Sequence, residues 1–184
     1  MKVRRIDLCR GPRDFAKEKC LDFLLHRVEK TLIQIKESEF SRPGPSTKKI
    51  VDCLEPTFAN DNWIMNSLVK PQYSQFKNKT NFIIDWKNAE KLDGCKKSHN
   101  LYLEICFDNR QAIGTNLLKM EIASRELDNG SSSSVGVIIA AERDFLRKFG
   151  WDNAIGSSQE YIDSYNHGYG GVIETPIVVF SLFV

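Results

Sequence analysis

Cysteine and histidine are scarce. The chain has five cysteines and three histidines, and Cys9, Cys20, Cys53, Cys95 and Cys106 lie far apart with no C-x-x-C pair. An odd, scattered set excludes a disulfide framework and a cysteine-rich zinc site, so a reducing, cytoplasmic setting is expected. Charge of one sign is lacking too: 26 basic residues face 24 acidic ones, for a net charge of +2. Bulk electrostatics therefore does not mark a nucleic-acid binder, and any DNA-binding surface must be local. No run approaches the roughly 20 apolar residues of a membrane span. The first residues, MKVRRIDLCRGPRDF, are basic but have no apolar signal core, which points to a soluble, non-exported protein. A phosphate-binding glycine loop is also missing, because HGYGG at His167–Gly171 is too short for one and reads as a turn.

What remains is enough for one core. With 184 residues and 41% hydrophobic content, residues 1–184 are expected to form one domain. Apolar residues recur with helical spacing from Asp14 to Phe40, through Phe15, Cys20, Phe23, Leu24, Val28, Leu32 and Ile35, and predict one long helix. Two prolines and a glycine in Ser41–Lys49 make that stretch a loop. Phe58, Trp63, Ile64 and Leu68 suggest a short irregular or helical piece ended near Pro71. Asn81–Trp86 (NFIIDW) and Leu101–Phe107 (LYLEICF) are rich in aromatic and β-branched residues and predict strands. The Asp-Gly pair within Leu92–Cys95 lies between them and favours antiparallel pairing. Ala112–Leu127 predicts a helix stopped by DNGSSSS, a serine run that reads as a flexible connector. Val135–Ala141 and Thr175–Val184 predict strands buried on both faces. The order of elements describes an α/β fold, a mixed sheet sandwiched by helices.

Two acidic residues stand inside these apolar strands, Asp85 in NFIIDWKN and Glu104 in LYLEICF. Either one alone reads better as an outward-facing carboxylate on an alternating strand. On neighbouring antiparallel strands, however, two facing carboxylates repel unless a divalent cation lies between them, and hard oxygen ligands suit Mg²⁺. The segment IDWKN…YLEICFDNR resembles the PD-(D/E)xK nucleases, which hold their metal with an Asp in one strand and Glu-x-(Lys/Gln/Glu) in the next. The order of motifs is similar to the BglII/BstYI family of restriction endonucleases. GVIIAAERDF resembles its buried strand and polar segment, and GSSQEYIDSYNHGYGGVIETPIVVFSL its serine loop, helix, glycine turn and final strand. The resemblance covers roughly Thr80 to Val184.

That resemblance implies a restriction-endonuclease-like fold and an Mg²⁺-dependent type II endonuclease that cuts double-stranded DNA. Asp85, Glu104 and the Ile105 carbonyl would be the metal ligands. Because such an enzyme cuts both strands of a palindrome, it is expected to be a homodimer with two-fold symmetry. The chain departs from the family pattern at two places. The third motif position is Cys106, where the family has Lys, Glu or Gln, so Lys119 or Lys87 is the candidate for the missing polar group. The family's acid often follows a Lys-Thr pair, whereas Asn81 follows it here and Asp85 stands four residues further on. These departures leave an alternative, a nuclease fold that binds DNA without cutting it. Cys106 with His99 or His167 supplies the residue types of a thiol hydrolase but no local signature, and burial of Cys106 in its strand is the better reading. Asn109, Arg110, Ser157, Ser158 and Gln159 are the candidates for reading DNA, since loop amides and guanidiniums can pair with base edges in the major groove.

Overall fold

The computed structural model describes residues 1–8, 19–40, 52, 56, 58, 63–69, 82–90, 98–127 and 132–184. In chain order the elements are strand β1 (Lys2–Leu8), helix α1 (Lys19–Gln34), strands β2 (Trp63–Val69), β3 (Phe82–Glu90) and β4 (Ser98–Ile105), and helix α2 (Ile113–Leu127). Strand β5 (Ser132–Ala141), helices α3 (Arg143–Lys148) and α4 (Ser158–His167), and strand β6 (Ile177–Phe183) complete the fold. The six strands make one mixed sheet in the order β1-β6-β5-β4-β3-β2. Its centre is parallel, β4 with β5 and β5 with β6, while β1, β2 and β3 join antiparallel. Each central parallel step needs a crossover, supplied by α2 between β4 and β5 and by α3 and α4 between β5 and β6.

Strand alternation divides the core in two. The odd-numbered residues of β4, Leu101, Leu103 and Ile105, join Val135, Val137, Ile139, Val178 and Phe180 in packing against Leu24, Leu25, Val28 and Leu32 of α1. The even-numbered Tyr102 lies on the opposite face with Ile138, Val179, Leu117 and Met120 of α2 and Tyr161 and Tyr165 of α4. The approach of α2 to the sheet depends on Gly136, where an added Cβ would come within 2.7 Å of Met120 Cγ. Any larger residue there would push the helix away from β5.

The structure extends and corrects the sequence reading at several points. Strand β1 was not predicted; its basic residues mask an alternating strand that lies on the sheet edge against β6. The segment from Trp63, read as irregular or helical, is strand β2, the opposite edge, and Trp63 stacks on Phe58 with ring centroids 4.8 Å apart. Ser132–Ser134, read as connector, opens β5, because Ser98–Asn100 of β4 extend the parallel ladder to pair with them. The long helix ends at Gln34, and Glu37–Phe40 forms a separate 3-10 turn. The expected antiparallel pairing of β3 with β4 is present, while the Asp-Gly pair expected to turn between them lies outside the described residues.

Candidate active site and DNA-contact segments

The face of β4 that looks towards α2 carries Tyr102 and Glu104, and Cys106, just past the end of the strand, continues the alternation. Glu104 is 3% exposed. Burying a carboxylate is costly without a cation or donors close by. On α2, Ile113, Asn116, Leu117, Met120 and Ala123 are buried towards the sheet, while Lys119 is half-buried at the margin of that face. Its Nζ reaches to 3.1 Å from Glu104 Oε2. An ammonium that covers a buried carboxylate at that distance is a charge-assisted hydrogen bond.

Of the predicted metal ligands, the structure describes Glu104 and Ile105 in full. Trp86 pairs with Leu103, so Asp85 and Glu104 are the next residues along the two strands, at adjoining register positions. Lys87, the other candidate lysine, pairs in register with Tyr102. Asn81 lies outside the described residues. Ile105 is the last residue of β4. Among the described residues, no group of three or more His, Cys, Asp and Glu forms that could hold a metal ion.

Cys106 is a core residue, 1% exposed. Its Sγ lies 3.7 Å from the Glu104 carbonyl oxygen and 3.5 Å from Asn116 Nδ2. The same Asn116 amide donates to the Tyr161 hydroxyl at 2.9 Å. Burial, followed by the nearby Cys106, pushes the Tyr161 phenol far above its ordinary range, so it stays protonated. The side chain at the third motif position thus sits in a buried polar contact between β4, α2 and α4.

The candidate DNA-reading residues fall into two kinds. Asn109 and Arg110 are exposed, on a turn between β4 and α2. The Asn109 side chain caps the 3-10 turn Arg110–Ala112 by accepting from the Gln111 amide at 3.1 Å. Ser157 and Ser158 are buried and committed to the fold. Ser157 is the N-cap of α4 in a capping box with Glu160, and the Ser158 hydroxyl is 2.6 Å from that of Ser181 on β6. Gln159 is exposed, and its amide donates to Asp163 at 2.9 Å. The structure brings the turn at 108–110 against the loop at 153–157: Asn109 bridges Ile155, the Arg110 amide donates to the Ala154 carbonyl at 2.8 Å, and the Gly156 amide to that of Asp108 at 3.0 Å. Sequence reasoning missed Arg143, Asn116 and Glu160. For Glu160 a signal was present, since S-x-x-E before a helical run is a capping-box signature.

The model of the restriction endonuclease BglII/BglIII family matches residues 21–182. The chain therefore belongs to that family and is a sequence-specific type II endonuclease that hydrolyses DNA. Its fold is similar to that in a crystal structure of restriction endonuclease BglII complexed with a DNA 16-mer, with a TM-score of 0.61 and 17% identity, over 100% of this chain and 79% of that one. No curated protein sequence matches it. The family generally uses a divalent metal.

Proposed function

We propose that residues 1–184 form one catalytic domain that acts in the cytoplasm as a homodimer and cuts both strands of a palindromic DNA site with Mg²⁺. Asp85, Glu104 and the Ile105 carbonyl would hold the ion, and Lys119 would supply the polar group that the motif lacks at Cys106. The contact that carries this reading is Lys119 Nζ to Glu104 Oε2 at 3.1 Å. The donor chemistry fits: a buried carboxylate whose neighbour in the next strand is also an acid offers the hard oxygens that Mg²⁺ prefers. When bound, the ion would contribute charge stabilisation at the phosphate.

The chain's own residues have separate tasks in this scheme. Lys119 pairs with Glu104 at 3.1 Å, and its half-buried ammonium offers further N–H donors to a phosphate oxygen or to the attacking water. Cys106 packs, and the Asn116–Tyr161 contact beside it ties α2 and α4 to β4 beneath the carboxylate. Asn109 and Arg110, exposed at the turn after β4, have the donors and acceptors that read adenine and guanine edges. The two-fold axis of a palindrome requires two copies to reach both strands.

Plasmid DNA incubated with the protein, with Mg²⁺ or with a chelator, is the test. Double-strand cuts at fixed positions that need Mg²⁺, and that disappear in Glu104→Ala, support the reading. DNA that is shifted in a gel but never cut would establish the binding-only alternative.

A further inference from the structure

Glu160, the third residue of α4, has more partners than a helix cap needs. Its Oε2 accepts from the Ser157 amide at 2.7 Å and the Ser157 hydroxyl at 3.0 Å, which completes the capping box. The same oxygen takes Arg143 Nη2 at 2.7 Å, and Oε1 faces Arg110 Nη1 at 3.5 Å. Both arginines also converge on one acceptor, the Asn153 carbonyl, with Arg143 Nη1 at 3.3 Å and Arg110 through Nη2. Partial burial pushes the Glu160 carboxyl up, but the Ser157 donors and the two guanidiniums outweigh it and hold it below the ordinary range. One carboxylate and one carbonyl thus join the turn after β4, the start of α3 and the loop leading into α4. Side-chain exposures of 50% for Arg110 and 33% for Glu160 make these pairs weak contributors to stability. Their geometric effect is larger, because a planar guanidinium bridging two fixed acceptors has little freedom.

We infer that Glu160 and Arg143 are positioning residues for DNA sequence discrimination: they lock the 108–110 turn against the 153–157 loop so that Asn109 and Arg110 meet base edges in one register. Neither residue needs to touch DNA for this. The inference rests on the proposed reading role of Asn109 and Arg110, and the experiment separates the two.

The cut site is first mapped from the fragment ends that the wild-type protein leaves on plasmid DNA. Duplexes that contain this site, and others changed at one base pair, are then the probes. Glu160→Gln keeps an acceptor for the helix cap, since Gln also serves in a capping box, but it loses the charge that holds two arginines. Arg143→Gln leaves the capping box untouched and carries the same test should Glu160→Gln fold poorly. Each variant is expected to keep kcat on the mapped site within a few-fold while the ratio of kcat/KM for the mapped over the altered duplex falls roughly 5- to 100-fold, the span of a single mismatch. Wild-type ratios in both variants overturn the inference. If they coincide with a lowered ratio in Asn109→Ala, the inference alone fails. If Asn109→Ala also retains the wild-type ratio, the reading role fails and the inference with it.

Discussion

The two faces of β4 are made of the same chain and present very different residues. Leu101, Leu103 and Ile105 point to one side, into a cluster of aliphatic and aromatic residues beneath α1. Tyr102, Glu104 and Cys106 are packed on the other, where α2 and α4 bring Lys119, Asn116 and Tyr161. Apolar packing is non-directional, so the first face holds the sheet together without specifying any one contact. On the second face the Lys119–Glu104 and Asn116–Tyr161 contacts hold at set distances, so they fix the register of α2 over β4 and with it the place of the lysine. In the proposed scheme, stability and chemistry would be carried by opposite sides of one strand.

Substitutions on the two faces should separate cleanly. The largest effect is expected from Glu104→Ala and Asp85→Ala, each of which should abolish plasmid cleavage while thermal unfolding remains cooperative; normal cutting by Asp85→Ala would show that the ligand assignment is wrong. Lys119→Met should lower single-turnover cleavage by roughly 10² to 10⁴, the usual worth of a positioned proton-transfer group, and should also lower the melting temperature, because it leaves the buried Glu104 carboxylate without its cation. If Lys119→Met cuts like the wild type while Lys87→Met does not, the 3.1 Å contact is structural and the other lysine serves the phosphate.

Crossing to the apolar face reverses the pattern. Leu103, fully buried, should cost about 2–5 kcal/mol on Leu103→Ala, measured by denaturant unfolding, yet leave kcat per folded molecule unchanged. A loss of kcat well beyond the loss of folded protein would mean that the two faces are coupled. On the polar face, Cys106→Ala should reduce cleavage by no more than a few-fold, because the thiol packs against Asn116 instead of facing solvent. Loss of all activity in that variant would give the sulfur a direct role.

The smallest expected effect is on pH dependence. Burial raises the Glu121 carboxyl, but Thr175 and then Arg125 outweigh it and leave it below the ordinary range. The Glu121 Oε2 accepts from the amides of Glu174 and Thr175 at 2.9 and 2.7 Å and so anchors the approach to β6. A carboxylate lowered in the folded state contributes stability that is complete above its unfolded value and is lost as pH falls through the lowered one. Melting temperature should therefore fall below the ordinary carboxylate range, and Glu121→Gln should flatten that acid limb while lowering stability at neutral pH. An acid limb as steep in Glu121→Gln as in the wild type would assign it to other carboxylates.

Much of this was legible from the residues in order. Hydrophobic period and turn chemistry located the β3–β4 pairing, α2, β5 and β6, because those elements bury enough apolar surface for their pattern to dominate. The acids inside NFIIDW and LYLEICF could be singled out for the same reason: a charge in an apolar strand is conspicuous. The edge strands β1 and β2 were not legible, since an edge exposes part of its surface and tolerates the arginines of β1 and the polar residues of β2. Nor could local sequence separate Ser157 and Ser158 from Asn109 and Arg110, all polar residues near loops. Burial against β6 and the capping of α4 decided that the serines serve the fold. The sequence alone determined which residue types were available for chemistry. Tertiary structure decided which of them meet: Lys119 and Glu104 are fifteen residues apart in the chain, and the approach of α2 to the sheet over Gly136 brings them within 3.1 Å.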